Sequence, residues 1–367
     1  MSASQPTSHL LEIAIPAPLR KTFQYLPTEG CEALKPGCRI RVPFGKQKLI
    51  GIFLGFSTRP TIDEVRMKHI IEIIDQEPVL SDRLLQLCHW ATDYYHHPIG
   101  DVLSNALPVS LRKGAPAQEP NLNLTITDTG KAFDPADIGR APRQRALLQA
   151  LQLKSALNKD DLRDLDIKSP VIAALVKKNL VAWQIREPDA KRSVDVIRSY
   201  DQIEPSNQQQ DAINLIDQPG TYLLHGITGS GKTEVYLRAI EEVLRKNEQA
   251  LVLVPEIGLT PQTLSRFTQR FTVPIETIHS GLTNRERLKA WQNAAEGKAQ
   301  IVIGTRSAIF TPLPNLGLLV VDEEHDGSFK QQEGFRYSAR DLAVMRGQLE
   351  KIPVILGNDV RVMWVSE

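Results

Sequence analysis

Gly226-Ile227-Thr228-Gly229-Ser230-Gly231-Lys232-Thr233 follows the apolar run Thr221-Tyr222-Leu223-Leu224-His225 and precedes a helical pattern from Glu234 to Leu244. Strand, glycine-rich loop, then helix is the order that a phosphate-binding loop requires. Glycines let the backbone curl without a Cβ clash, so successive N–H groups point at one phosphate while the helix N-terminus adds its positive dipole end. The loop residues Gly226, Ile227, Thr228, Gly229, Ser230 and Gly231 are therefore expected to cradle a nucleotide. Lys232 is placed to reach the β- and γ-phosphates of ATP, and the Thr233 hydroxyl to hold Mg²⁺.

Around that stretch the chain has globular composition: 367 residues, 41% hydrophobic and 24% charged, enough for two or three domains. It has no apolar run that would span a bilayer and begins with a polar segment, so a cytoplasmic protein with no membrane partner is expected. Cys31, Cys38 and Cys88 lack paired metal spacing, and buried free thiols are the simplest account. A net charge of +1 excludes a bulk polycation, which leaves local basic stripes to be found segment by segment.

Downstream of the loop, Ala250 to Val254 is an unbroken apolar run, as in a parallel strand buried on both faces. It ends at Pro255 to Gln262. Gln300 to Ile303 ends at Gly304-Thr305-Arg306-Ser307, and Leu318 to Val321 ends at Asp322-Glu323-Glu324-His325. Three buried strands, each closing on polar residues, put the chemistry on one rim of a parallel sheet. Asp322 is expected to fix the Mg²⁺ shell, and Glu323 to orient and deprotonate the attacking water. His325 is expected to sense the γ-phosphate. Upstream, Gln209 in the run Asn207 to Gln210 is a candidate for reading an adenine edge. The box Asp-Glu-Glu-His makes this segment resemble a superfamily 2 helicase RecA-like domain, in which Thr305 and Arg306 would meet backbone phosphates. Beyond it, Gly327 to Tyr337 carries Phe329, Phe335, Arg336 and Tyr337. Three aromatics and two cations in a loop suit stacking on unpaired bases.

Upstream of the loop, residues 1–110 read as a small β-rich domain with strands at Leu11 to Ile15, Phe23 to Leu26, Arg39 to Val42 and Lys48 to Leu54. Between Arg20 and Lys48 seven basic residues face two acidic ones, a local balance of +5, with Phe23, Tyr25 and Phe44 interleaved. Such a patch suits nucleic acid, although a charge run is more commonly a solvated face. A helix is expected from a Ser81 cap. Residues 111–199, with linkers, contain helical spacing at Leu147, Leu148 and Leu151, a helix capped by Ser169 and started by Pro170, and a strand from Leu180 to Ile185. This order fits either a winged-helix module or a three-helix connector.

Taken together, Thr22 to Tyr25, Val42 to Lys46, Tyr94 to Gly100, Gly226 to Tyr236, Pro255 to Gln262 and Asp322 to Met345 resemble the PriA family of primosomal replication-restart helicases, also called primosomal protein N′. The resemblance implies an α/β chain: a β-rich 3′-DNA-binding domain over 1–110, a winged helix within 111–199, and a RecA-like P-loop ATPase domain over 200–357. It implies DNA contact at Phe23, Gln24, Tyr25, Gly37, Arg39 and Lys46. Gln24 stands where the family commonly carries an aspartate. The family is implied to act as an ATP-dependent 3′→5′ helicase on branched or forked DNA with single-stranded segments, beside primosome proteins and single-stranded-DNA-binding protein. Residues 358–367 do not match the family's continuation, so a truncated product lacking its zinc-binding region and second RecA-like domain is expected, with unwinding lost. The competing expectation is a non-enzymatic module that binds forks and 3′ ends.

Overall fold

The computed structural model describes residues 10–61, 63–117, 122–139, 141–157, 159–185, 204–226 and 230–358. The chain divides into two units: Met1–Ala117 with Val194–Glu367, and Gln118–Ser193.

In the larger unit, β1 (Leu10–Ala14), β2 (Phe23–Tyr25), β3 (Arg39–Phe44), β4 (Gln47–Ser57) and β5 (Glu72–Ile73) form an antiparallel sheet in the order β2-β1-β4-β3-β5. Phe44 pairs with Gln47, so Gly45-Lys46 is a two-residue hairpin turn, and Gly45 supplies the positive φ that such turns demand. Alternation along β1 and β3 buries Leu11, Ile13, Ile40 and Val42 in one cluster with Phe53. Helix Asp82–Tyr94 begins at the expected cap, with the Ser81 hydroxyl accepting from the Leu84 N–H at 3.4 Å.

The same unit holds six parallel strands: β9 (Gly220–His225), β10 (Gln249–Leu253), β11 (Ile275–Ile278), β12 (Ile301–Gly304), β13 (Leu316–Val321) and β14 (Pro353–Asn358). Their order is β11-β12-β10-β13-β14-β9. Every residue of β10, β12 and β13 is buried, because helices cover both faces. Helices Lys232–Arg245 and Pro261–Arg270 pack on one face. Helices Asn284–Ala295 and Ala339–Glu350 pack on the other, in a core that continues into Leu84, Leu87, Cys88 and Ala91 of the N-terminal helix. The N-terminal module and the ATPase lobe thus share a hydrophobic core. Asn358, expected to open a non-matching tail, instead closes β14 opposite His225. Residues 359–367 lie outside the described residues.

The smaller unit contains β6 (Leu122–Ile126), helix Pro142–Lys154, β7 (Ala156–Leu157), helices Lys159–Asp164 and Ser169–Lys177, and β8 (Val181–Ile185). Its strands form an antiparallel sheet, β7-β6-β8, over a core of Leu124, Leu147, Leu148, Leu151 and Leu175. Ser169 is the first helical residue here and Lys168 the cap, one place earlier than expected, with proline still in the first turn. No helix among the described residues is long and apolar enough to cross a membrane.

Candidate nucleotide site and nucleic-acid interface

β9 delivers the chain to Gly226, whose N–H donates to the Asn358 carbonyl at 3.1 Å and so fixes the loop's entry against β14. Ile227, Thr228 and Gly229 lie outside the described residues. Gly231, at φ 85°, turns the backbone through the left-handed region immediately before helix Lys232–Arg245. Lys232, first in that helix, donates from Nζ to the Gly226 carbonyl at 2.6 Å, drawing the two ends of the loop together. The Thr233 hydroxyl accepts from Arg266 Nη1 at 3.5 Å.

Gln209 does not sit open toward an adenine edge. Its Oε1 accepts from the Ser206 N–H at 2.8 Å in a capping box, and its Nε2 donates to the Ser230 and Gly231 carbonyls at 3.3 and 3.4 Å. Both ends of the amide are taken, so the residue braces the glycine-rich loop.

Across β14, the end of β13 presents the acidic box. Asp322 Oδ1 accepts from the Tyr236 hydroxyl at 3.1 Å and from the Glu323 N–H at 3.2 Å, while the Asp322 N–H donates to the Leu253 carbonyl at the end of β10. Glu323 has φ 49°, a left-handed conformation that costs a non-glycine residue free energy and turns the chain sharply after the strand. Burial raises its carboxyl above the ordinary glutamate value, the Asp322 charge adds to this, and the Lys232 and His325 charges oppose it. His325 is exposed, with Nε2 3.9 Å from Glu323 Oε2. The ammonium, the hydroxyl and two carboxylates thus surround one rim of the sheet.

Glu324 turns away from that rim. Its Oε1 accepts from Asn358 Nδ2 at 2.6 Å and its Oε2 from Arg340 Nη1 at 3.1 Å. Arg340 also grips Asp341 Oδ1, whose partner oxygen Oδ2 accepts from the Tyr95 hydroxyl at 3.2 Å. The same Tyr95 oxygen accepts from the Ser338 N–H at 3.2 Å. A polar chain therefore runs from the acidic box to the N-terminal module. Tyr236, Asn358, Arg340 and Tyr95 carried no sequence signal for these roles, because the contacts join residues far apart along the chain.

The donor set fits a magnesium-bound triphosphate: one hydroxyl and one carboxylate are hard oxygen ligands, and Mg²⁺ completes its shell with water and phosphate rather than with a protein cage.

The expected DNA residues divide. Lys46 is exposed at the hairpin tip, Arg336 is exposed, and Phe23 is partly buried, packed edge-to-face on Phe44 at 5.2 Å. Others are corrected by burial. Phe329, Phe335 and Tyr337 are 1%, 2% and 7% exposed, so the loop's rings are core rather than a stacking platform. Phe335 packs parallel on Tyr337 at 4.9 Å and edge-on to Tyr95 at 6.0 Å. Tyr25 is buried, donates to the Pro43 carbonyl, and has its phenol pushed up to about 12 by burial. Arg39 is fully buried: Nε and Nη2 bind both Asp75 oxygens at 2.7 and 2.8 Å, and Nη1 binds the Leu111 carbonyl at 2.6 Å. Gly37 is demanded by backbone, since φ is +96° and a Cβ would meet the Leu80 carbonyl oxygen at 2.2 Å. Gln24 spends its amide on Ser57, Arg59 and Thr61. Thr305 is buried, and Arg306 Nη1 donates to the Ser328 and Lys330 carbonyls, both at 3.0 Å, which holds the aromatic loop in place.

Comparison with known proteins gives two family matches: a 3′DNA-binding domain over residues 12–108 and a DEAD/DEAH box helicase over residues 206–363. The replication restart protein PriA of Haemophilus influenzae is 39% identical over 364 residues, covering 95% of this chain and 49% of that protein. The PriA of Bacillus subtilis is 30% identical over 413 residues, covering 92% and 51%. This chain spans about half the length of the curated relatives it matches. Among solved structures, RecG bound to a three-way DNA junction is similar at 24% identity and a TM-score of 0.36, over 44% of this chain and 22% of that one, a likeness too weak to bear on function.

Proposed function

Because the chain belongs to the PriA family of replication restart proteins, with its 3′DNA-binding domain and a DEAD/DEAH box helicase domain, we propose that it works as part of an ATP-dependent 3′→5′ DNA helicase acting on stalled forks. Its substrate is branched DNA with single-stranded segments. Primosome proteins and single-stranded-DNA-binding protein are the partners proposed with it, in the cytoplasm.

One observation carries the reading: Lys232 and Tyr236, on the helix after the glycine-rich loop, converge on Asp322 and Glu323 at the end of β13. Lys232 and the loop amides hold the phosphates, and Thr233 and Asp322 supply oxygens to Mg²⁺. A bound Mg²⁺ would supply positive charge to the phosphate oxygens. Glu323 takes a proton from the attacking water, a role suited to a carboxyl raised toward working pH. His325, with Nε2 3.9 Å from Glu323 Oε2, senses the γ-phosphate. In the N-terminal module, Lys46 and Phe23 offer phosphate and base contacts, and Arg336 adds a cation beside the ATPase lobe. The order of strands and helices in residues 122–185 supports a winged-helix reading of the smaller unit.

Steady-state ATP hydrolysis with and without forked DNA tests the proposal. Stimulated turnover that Lys232→Ala and Glu323→Gln both abolish supports it. Tight fork binding with ATP hydrolysis that stays at background, with or without DNA and in both variants, would replace it with a non-enzymatic fork-binding module.

A further inference from the structure

In the N-terminal module, a cavity of about 300 Å³ lies between the sheet and helices Ile99–Asn105 and Val109–Arg112. Its walls include four cations, Arg41, Lys48, Arg112 and Lys113, and, among the described residues, no carboxylate. Strand register explains the sheet's share. Arg41 stands opposite Ile50 and Pro43 opposite Lys48, so Arg41, Lys48 and Ile50 leave the β3–β4 hairpin on one face. The helical walls are pinned to that sheet. Gly100 packs backbone to backbone on the end of β1, where a Cβ would lie 1.6 Å from the Ile15 carbonyl oxygen. Arg39 Nη1 holds the Leu111 carbonyl, while Arg112 donates to the Leu107 and Asn105 carbonyls at 2.8 and 3.3 Å. Gly114, at φ +91°, brings the chain so near Arg41 that a Cβ would meet Nη2 at 2.9 Å. The guanidinium from the sheet therefore lies against the segment that bears Arg112 and Lys113.

These donors are open to a ligand. Lys48 and Lys113 are exposed and have no carboxylate partner among the described residues. Arg41, with its side chain 28% exposed, spends only Nε, on Glu72 at 2.6 Å. Like charges gathered around one cavity repel, and a docked anion offsets that repulsion. Ammonium and guanidinium groups only donate, which excludes a metal ion and suits phosphate oxygens. A volume of about 300 Å³ reaches the range of organic ligands and exceeds the needs of a bare oxyanion. Ile50 and Leu107 add apolar wall, against which a sugar or base can lie. Lys46, exposed at the hairpin tip two residues before Lys48, carries positive charge on beyond the cavity. A strand of linked phosphates uses that continuation, whereas a single nucleotide does not. Phe23 and Gln24 are not among the lining residues, so the cavity needs no strand terminus.

We propose that this cavity is a phosphodiester site, which takes one nucleotide unit from within a single DNA strand. Lys48, Lys113, Arg41 and Arg112 hold the phosphates on either side of it, and the strand leaves past Lys46. The DNA source rests on the function proposed above; the phosphate chemistry of the cavity does not.

The test compares the full 367-residue chain with Lys48→Gln, Lys113→Gln and the double variant. Lys246→Gln, an exposed lysine outside the cavity, controls for net charge. Melting midpoints are expected to be unchanged, because all three lysines are exposed. Binding of a fluorescent single-stranded oligonucleotide, blocked at its 3′ end, is measured across a salt series. Each cavity lysine removed is expected to weaken binding about fivefold and to lower the slope of log affinity against log salt by about 0.7. Pyrophosphate is titrated separately in a Lys232→Ala background, which takes the glycine-rich loop out of the measurement. It is expected to raise the melting midpoint at constant ionic strength, and the two cavity substitutions to abolish that rise. A lost pyrophosphate shift with an unchanged DNA slope would overturn the strand in favour of a free phosphate ester. An equal loss of slope in Lys246→Gln, or no change of slope or shift in any variant, would overturn the site itself. If the unsubstituted chain bound no oligonucleotide, the proposed function would fall, and the pyrophosphate titration would still decide the cavity.

Discussion

The phenolic hydroxyl of Tyr236 donates to Oδ1 of Asp322 at 3.1 Å, directly over Gly357, where a Cβ would lie 1.7 Å from that hydroxyl oxygen. The glycine on β14 therefore leaves room for a side chain from helix Lys232–Arg245 to reach a carboxylate at the end of the neighbouring strand β13. Burial first, and the Asp322 charge second, keep the phenol neutral far above its ordinary range. Tyr236→Phe is expected to cost about 1 kcal/mol of stability and to weaken Mg²⁺-dependent nucleotide binding several-fold, because one Asp322 oxygen loses its orienting donor. Gly357→Ala is expected to cost about 1–3 kcal/mol by overpacking. Denaturant unfolding and nucleotide titration at varied Mg²⁺ check both; a Tyr236→Phe variant with unaltered Mg²⁺ dependence would rule out the orienting role.

Glu323 gives a pH prediction. Its carboxyl is raised by burial and then by Asp322, so the folded chain holds that proton more tightly than the unfolded chain. The resulting stability contribution is complete below the ordinary glutamate value and fades as pH rises through the folded one. The group is partly exposed, which keeps the effect small. Hydrolysis needs the carboxylate, so the acid limb of the pH–rate profile is expected above the ordinary glutamate value. The pH–rate profile of DNA-stimulated hydrolysis by the unsubstituted chain checks this.

Arg39 and Asp75 form a bidentate pair at 0% and 8% side-chain exposure. Arg39→Ala is expected to destabilise the chain by about 3–5 kcal/mol, because Asp75 loses its guanidinium in the interior and keeps only the residue-39 backbone N–H, at 3.1 Å, as a partner. The double variant Arg39→Met, Asp75→Leu is expected to recover much of the loss. Were Arg39 a DNA contact instead, the single variant would unfold normally and lose affinity alone.

The loop after the acidic box should separate stability from binding by position. Phe335→Ala is expected to cost about 3–5 kcal/mol, as for other buried aromatics, since its ring packs on Tyr337, Tyr95 and His97. Arg336→Ala, at an exposed position between two buried rings, is expected to change stability by less than about 0.5 kcal/mol. Under the proposed function it weakens DNA binding and lowers the salt slope by about 1. Parallel melting curves and salt series distinguish the two residues.

By itself, the sequence determined the parts whose signals are local. A glycine-rich turn between a strand and a helix, apolar runs that stop at polar residues, and an acidic box after the last of them can each be read within a short window, because strand burial and phosphate geometry impose them directly. Short β runs and the Ser81 cap were legible for the same reason. Tertiary structure decided what each charged or aromatic side chain faces. Arg39 and Arg41 alternate with aliphatics as residues on an exposed face would, yet Arg39 is buried because helix Val109–Arg112 and Asp75 close over it. Phe329, Phe335 and Tyr337 look like loop aromatics, yet the N-terminal helix Asp82–Tyr94 and helix Ala339–Glu350 share their core. Burial is a property of where distant segments meet, and a charge or a ring carries no mark of its eventual neighbour.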